Sequence, residues 1–361
     1  MKIQTLIKII KNPLFLYHKF KHTIKQTDDK NFLDKNFKNQ ILKKSNTFKA
    51  YYDLNYNSIS FNFVPFLLLV ENFCSDNNYD GYEIVIVPEN LDKSLKWKDL
   101  YDQYGEEALN YRIYNLIPNL CSLGGKCKGF SVLPDRKNVQ YLLNLEDSFP
   151  VDYGSKTNGV KGGFDHSLHY YLKKNGIKKE LLVPKHSQEI LNNLVNTEKK
   201  IITFTIRNSK FDKSRNSPIK DFIKFSEDLN EDYKIVFIPD SDQPNFKENQ
   251  DFDFCKIGTA AAYNPGIRLA LYKRAYLNFF SDNGPVTFAM YSKDIKYIAF
   301  HNIEESLIYD EENKKEKFDH SFDSNNQFFW SNKNYQLVFF GIDNYENLKK
   351  AHNLFLNNSA K

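Results

Sequence analysis

"AYLNFFSDNGPVTFAMYSKDIKYIAF" (residues 275–300) decides the fold. The apolar run at 276–280 predicts a strand, Ser281-Asp282-Asn283-Gly284-Pro285 turns the chain, 285–292 predicts a helix, and 295–300 predicts a second strand. A strand that reaches the next strand through a helix belongs to a parallel sheet. The corner itself has two readings. Asp-Asn-Gly is a common turn, and a glycine-bearing corner ahead of a helix can also offer backbone N–H groups to a phosphate.

Alternation continues on both sides of this stretch. Upstream, "KIITFTI" (200–206) and "YKIVFIP" (233–239) predict strands, and "DFDFCKIG" (251–258) a short one. Between them, "SPIKDFIKFSEDLN" (217–230) predicts a helix with Ser217 as N-cap and Pro218 at its first position. "NPGIRLALYKRA" (264–275) and "NYENLKKAHNLFLNN" (344–358) predict two more helices. Nearer the N-terminus, strands are expected at 48–54, 82–88 and 128–134, and helices at 61–74, 106–121 and 136–145. "YEIVIVP" (82–88) is continuous and β-branched, as in strands covered on both faces. Residues 26–45 read as a linker, and 146–182 as a long loop before a helix opened by Pro184. The expected class is α/β, with two Rossmann-like domains facing across a cleft. The expected division is a basic N-terminal segment and linker at 1–45, a first domain at 46–180 and a second at 181–335. Residues 336–361 add a strand and a helix that crosses back to the first domain.

The chain has 361 residues, 41% hydrophobic and 26% charged, with a formal net charge of +5. This is a globular composition, and its charge does not demand nucleic acid as a partner. No cysteine pair among positions 74, 121, 127 and 255 has zinc spacing, and Cys74 and Cys121 read as core thiols. A cytoplasmic location is expected. In residues 1–25, Ile3, Leu6, Ile7, Ile10 and Leu14 recur at helical spacing among six lysines. Such a segment packs on its own domain or lies peripherally on an anionic inner membrane face.

Three strand ends of the second half carry polar clusters. The first gives Arg207 and Asn208, with Lys210 and Arg215 in the following loop; the second gives Asp240 and Ser241; the third gives Ser281, Asn283, Gly284 and Pro285. Ligands of open parallel sheets bind at the carboxyl ends of strands. Arg207 offers a planar fork for phosphate oxygens, Gly284 permits close backbone approach, and Asp240 suits ribose hydroxyls. Together these parts would hold a nucleotide diphosphate. Asp240-Ser241-Asp242 also matches the D-x-D of a Mg²⁺ or Mn²⁺ site, a pattern any two loop acids meet, and no metal or cofactor is expected.

The segment 281–300 resembles the strand–loop–helix of GT-B glycosyltransferases. Asp282, Gly284, Pro285 and Ala289 match the Asp-x-Gly-Pro-x-x-x-Ala pattern of the heptosyltransferase group, with Thr287 and Phe288 where that group has a histidine. Arg207 and Asp240 stand where the fucosyltransferase branch places its nucleotide-binding edge. The resemblance implies a glycosyltransferase that uses a nucleotide-diphosphate sugar and a glycan or glycolipid acceptor in cell-surface polysaccharide or lipopolysaccharide assembly. It also implies an acceptor-binding first half that supplies a base. Candidates there are His166 beside Asp165, and Glu89 at a strand end, with Asn62 as an acceptor contact. A non-hydrolysing nucleotide-sugar epimerase and a non-catalytic nucleotide or sugar binder share the expected fold.

Overall fold

A computed structural model describes residues 30–38, 45–89, 98–143, 147–154, 164–209, 213–229, 231, 233–241, 256–301 and 321–359. The basic segment at 1–25, Lys210 and most of the strand expected at 251–258 lie outside these residues.

Strands β1 (Thr47–Asp53), β2 (Gly81–Val87), β3 (Cys127–Val132) and β4 (Asp147–Phe149) form a parallel sheet in the order β3-β2-β1-β4. Strands β5 (Lys200–Thr205), β6 (Tyr233–Ile238), β7 (Leu277–Phe280), β8 (Tyr297–His301) and β9 (Gln336–Phe340) form a second, in the order β6-β5-β7-β8-β9. Each sheet is wholly parallel and needs covered faces. The fold is α/β with two Rossmann-like sheets, as the sequence predicts.

Helix α1 (Phe63–Asp76) is buried from Phe63 through Cys74 and accepts Pro65 in its first turn. It carries a buried Glu71, which accepts from the Tyr82 hydroxyl at 2.6 Å and from Lys126 N at 3.0 Å. Helix α2 (Lys98–Tyr111), kinked at Gly105, continues through a wider π turn at Arg112–Leu116 into Ile117–Cys121. Cys74 and Cys121 are buried, and burial pushes the Cys74 thiol up to about 11.

Several elements depart from the sequence reading. The stretch at 146–182 is not one loop, because it contains β4 and helix α3 (Phe164–Asn175). Phe164, Leu168, Tyr171 and Leu172 repeat at helical spacing and are buried on one face of α3. Residues 30–38 are no linker either: they are helical, and Phe32 and Leu33 enter the core. Helix α4 (Lys185–Leu194) follows Pro184. Helix α5 (Ile219–Glu227) starts after Pro218, and Ser217 does not cap it because its hydroxyl is committed elsewhere. Lys256–Gly258 belong to helix α6 (Lys256–Tyr263), not to a strand. Helix α7 (Pro265–Arg274) is capped by Asn264, whose Oδ1 accepts from Gly266 N at 2.8 Å and Ile267 N at 3.0 Å.

Helix α8 (Tyr345–Ser359) does not cross to the first sheet. Its buried Leu348, Ala351 and Phe355 join Phe222, Phe225 and Phe279 in a cluster confined to the second half. The larger core cluster is shared, running from Phe48 and Phe66 in the first half to Leu269, Phe288 and Tyr291 in the second. Both halves therefore pack through apolar surface.

Candidate functional site

In the second sheet the chain leaves β5 in the middle, adds β6 on one side, and returns to add β7 on the other. The place where strand order reverses is where open α/β sheets leave a crevice. Arg207 follows β5, Asp240 follows β6 and Ser281 follows β7, so the three polar clusters stand in one row.

Backbone and hydroxyl bonds hold this row. Arg207 N donates to Ser217 Oγ at 2.8 Å, and Ser217 N donates back to Arg207 O at 3.0 Å. One step outward, Ser209 N donates to Asn216 Oδ1 at 2.9 Å and Asn216 Nδ2 to Ser209 O at 3.1 Å. These reciprocal pairs fold the loop back and hold Arg207 and Arg215 at the crevice. Ser217 Oγ lies 2.6 Å from Ser281 Oγ, which donates to Asp343 Oδ2 at 2.5 Å. A hydroxyl chain thus runs from Arg207 N to a buried carboxyl, each link polarising the next. Burial pushes Asp343 up to about 6, against the lowering effect of the Ser281 hydrogen bond. Asn208 N donates to Asp240 Oδ2 at 3.1 Å, and Asn283 Nδ2 to Thr205 O at 3.1 Å.

A cavity of about 390 Å³ opens between the halves. Arg207, Arg215, Asp240 and Ser241 line it, together with Asn283, Gly284 and Pro285 of the corner; Asn62 reaches it from the first half. Asn208 and Ser281 stand behind this wall and shape it. Sequence reading missed two lining arginines. Arg112 enters from the π turn after α2, with Nη1 donating to Ile59 O at 3.0 Å. Arg268 enters from α7 and is 1% exposed. The lining residues carry four arginines against the two carboxylates Asp240 and Asp282, a positive surplus. Asp282 Oδ1 lies 3.7 Å from Arg215 Nη1 and 4.0 Å from His301 Nδ1. A second cavity of about 180 Å³ adjoins the first, sharing Arg215 and Asp282 and ending at Asp343.

The corner works differently from expectation. Gly284–Val286 is a 3-10 turn and Thr287–Met290 a single helical turn, so it lacks the length of aligned peptides that makes a strong N-terminal dipole. Gly284 instead faces the first half. A Cβ there would stand 3.0 Å from Phe61 Cβ and 3.1 Å from Phe61 Cδ2. Glycine lets the two halves approach at the mouth of the cavity.

The expected bases do not line the cavity. Asp165 is on α3, 3.8 Å from the Nε2 of the buried His166. Its neighbour His169 bridges the halves, with Nδ1 2.8 Å from Ser321 Oγ and Nε2 2.7 Å from Tyr291 OH. Both ring nitrogens are engaged. Glu89 follows β2 at the edge of the described residues, half-buried, and desolvation raises its carboxyl. Among the described residues the first half brings no carboxylate or histidine to the cavity. Nor does any cluster of three or more histidine, cysteine or acidic groups among them fit a metal ion.

No family model matches the chain, and no curated protein matches it. Solved structures do. The glycosyl transferase family 9 from Veillonella parvula DSM 2008 is 13% identical with a TM-score of 0.44, over 86% of this chain and 97% of that one. The E. coli ADP-heptose LPS heptosyltransferase II is 9% identical with a TM-score of 0.47, over 87% and 99%. Among the described residues no helix is long and apolar enough to cross a membrane.

Proposed function

We propose that the protein is a glycosyltransferase that moves a sugar from a nucleotide-diphosphate donor to a hydroxyl acceptor. The observation that carries this is the convergence of Arg207, Arg215 and Arg268 with Arg112 of the other half on one cavity at the switch point of the second sheet. Guanidinium forks recognise phosphate oxygens in pairs. The surplus of two positive charges matches the two ionised phosphates of a nucleotide-diphosphate sugar, so the diphosphate is neutralised by side chains rather than by a divalent ion. Preorganised arginines gain most where charge develops, on the departing nucleoside diphosphate.

In this reading Arg207 and Arg215 hold the diphosphate, with Ser241 and the Asn283–Pro285 corner completing the donor side. Asp240, fixed by Asn208 N, faces a ribose hydroxyl. Asn62 meets the acceptor, whose glycan or glycolipid nature suits a basic N-terminal segment at a membrane face. Cell-surface polysaccharide or lipopolysaccharide assembly is the proposed setting.

The test is thermal unfolding in the presence of UDP, GDP, ADP and CMP, followed by measurement of nucleoside diphosphate release from the matching sugar donors. A ligand at 100 times its Kd stabilises by about 2.7 kcal/mol, so one diphosphate is expected to raise the midpoint. No shift with any of them at millimolar concentration rejects the reading.

A further inference from the structure

Arg268 is the most deeply buried arginine of the cavity, and its surroundings do not balance its charge. Its Nε donates to Ala261 O at 2.7 Å, and its Nη2 reaches Ser241 Oγ and Ala262 O, each at 3.3 Å. Phe61 of the first half lies under the guanidinium, 5.5 Å from ring centroid to Cζ. These contacts explain part of the residue: a cation at the carboxyl end of α6 satisfies its last carbonyls. They leave Nη1, which is buried and finds no hydrogen-bond partner. No carboxylate among the described residues lies within ion-pair distance of the group. A buried cation without a counter-charge is costly, and helix capping would be met as well by a lysine reaching the same carbonyls from the surface.

A second buried atom on the same cavity is also unmatched. Asn283 uses its Nδ2 on Thr205 O, while its Oδ1 accepts from nothing. One wall of the cavity thus holds a charged donor in want of an acceptor and a neutral acceptor in want of a donor.

We infer that Arg268 and Asn283 are completed by the ligand: a phosphate oxygen accepts from Arg268 Nη1, and a hydroxyl or N–H of the same molecule donates to Asn283 Oδ1. The ligand class is a phosphate ester that carries a hydrogen-bond donor, which distinguishes a nucleoside diphosphate from a bare anion. This rests on the reading of the cavity as a donor site, and it adds a division of labour. Arg268 senses the anion, and Asn283 senses what the anion is attached to. Nη1, which has no partner among the described residues, is the atom of the fork that donates to the ligand.

Inorganic pyrophosphate is the first probe and UDP, GDP and ADP the second, with affinities measured by calorimetry on the full chain. Arg268→Met is expected to weaken pyrophosphate at least ~10-fold, the scale of one hydrogen bond to a charged group. Arg268→Lys, which keeps the charge and folds if Arg268→Met does not, is expected to lose roughly half that effect on a logarithmic scale, because it lacks the fork. Asn283→Ala is expected to leave pyrophosphate within about twofold while weakening the bound nucleoside diphosphate ~5-fold or more. Undiminished pyrophosphate affinity in the Arg268 variants would overturn the role of Arg268, and equal losses for both probes in Asn283→Ala would overturn the role of Asn283. If the wild-type chain binds neither probe, the inference falls outright. Turnover of sugar donors by the wild-type chain judges the transferase reading separately, and it can stand while Arg268 proves purely structural.

Discussion

In the first sheet β1 stands between β2 and β4, and in the second β5 stands between β6 and β7. Each sheet therefore has a switch point beyond its central strand, but the two are filled differently. At the first, Asp53 closes β1, Arg136 arrives after β3 and Tyr153 after β4. Arg136 Nη1 donates to Asp53 Oδ2 at 3.0 Å, its Nη2 pairs with Oδ1, and the Tyr153 hydroxyl donates to Oδ2 at 2.5 Å. Tyr153 also stacks on Tyr51 at 4.5 Å and 6°. This crevice is plugged by the chain's own ion pair. At the second, Arg207 N and Ser281 are joined through the Ser217 hydroxyl, Ser281 donates on to Asp343, and four arginines line an open cavity. The same topology yields a structural joint where a carboxylate meets the arginine, and an open cavity whose arginines outnumber its carboxylates.

The largest effect is expected at the plugged joint. Asp53 is 1% exposed, and Asp53→Ala orphans Arg136. Removing one partner of a buried pair costs about 3–5 kcal/mol. The lower end, roughly 3 kcal/mol, applies here because Arg136 keeps 26% of its side chain in water. Chemical denaturation should show that loss while the affinity for pyrophosphate stays unchanged. A variant that folds as well as the parent but binds anions worse would reverse the assignment of the two crevices.

Next comes the open crevice. Arg207→Ala removes a charged donor whose backbone, not its side chain, makes the bonds to Ser217. Nucleoside diphosphate binding should weaken by ~1.5–3 kcal/mol, with circular dichroism and the unfolding midpoint close to the parent. Full retention of affinity for every diphosphate would take Arg207 out of the site.

Where the halves meet, a smaller effect is expected. In Gly284→Ala the new Cβ would crowd Phe61 at 3.0 Å. Overpacking of this kind costs about 1–3 kcal/mol; the low end fits a ring that can shift by a few tenths of an ångström. Phe61 also lies on Arg268, so ligand affinity should fall together with stability. A restoring double variant, Gly284→Ala with Phe61→Leu, should recover part of both. Failure to recover either would mean that Gly284 serves something other than the approach of the two halves.

The contrast between the crevices also explains what the sequence discloses. The central strands were legible because parallel strands covered on both faces read as continuous apolar runs, as in "YEIVIVP". Arg207 and the 281–285 corner were legible because strand ends follow from strands. Helix α3 escaped because a Gly- and Lys-rich run precedes it and Asp165, His166 and His169 interrupt its apolar spacing. His169 has partners that no local pattern announces, since Tyr291 and Ser321 are 122 and 152 residues away. Arg112 reaches the cavity only through a π turn that no local pattern announces. Arg268 did leave a signal: it stands inside the run Ile267–Leu271 of α7, which is otherwise apolar and buried throughout. A charge in such a stripe asks for a partner that the local sequence does not contain.

The smallest expected effect concerns Asp343, the carboxyl at the end of the hydroxyl chain. Asp53 has Arg136 beside it, whereas Asp343 has Ser281 Oγ, and burial holds its pKa at about 6 against an ordinary 3.8. The native state therefore keeps a proton that the unfolded chain gives up between these values. Stability from this group is fully present below about pH 4 and is lost as pH rises towards and through 6, with a slope of at most ~1.4 kcal/mol per pH unit. Asp343→Asn mimics the protonated form, retains an oxygen that can accept from Ser281, and should flatten that slope. At pH 7.5 it should be more stable than the parent, and at pH 4 the two should converge. Denaturation curves at pH 4, 6 and 7.5 measure this directly. A parent whose stability instead rises between pH 4 and 6 by an amount that Asp343→Asn abolishes would show that the carboxylate form is the favoured one. The hydroxyl chain would then end on a charge, adding a third carboxylate to Asp240 and Asp282 at the second crevice.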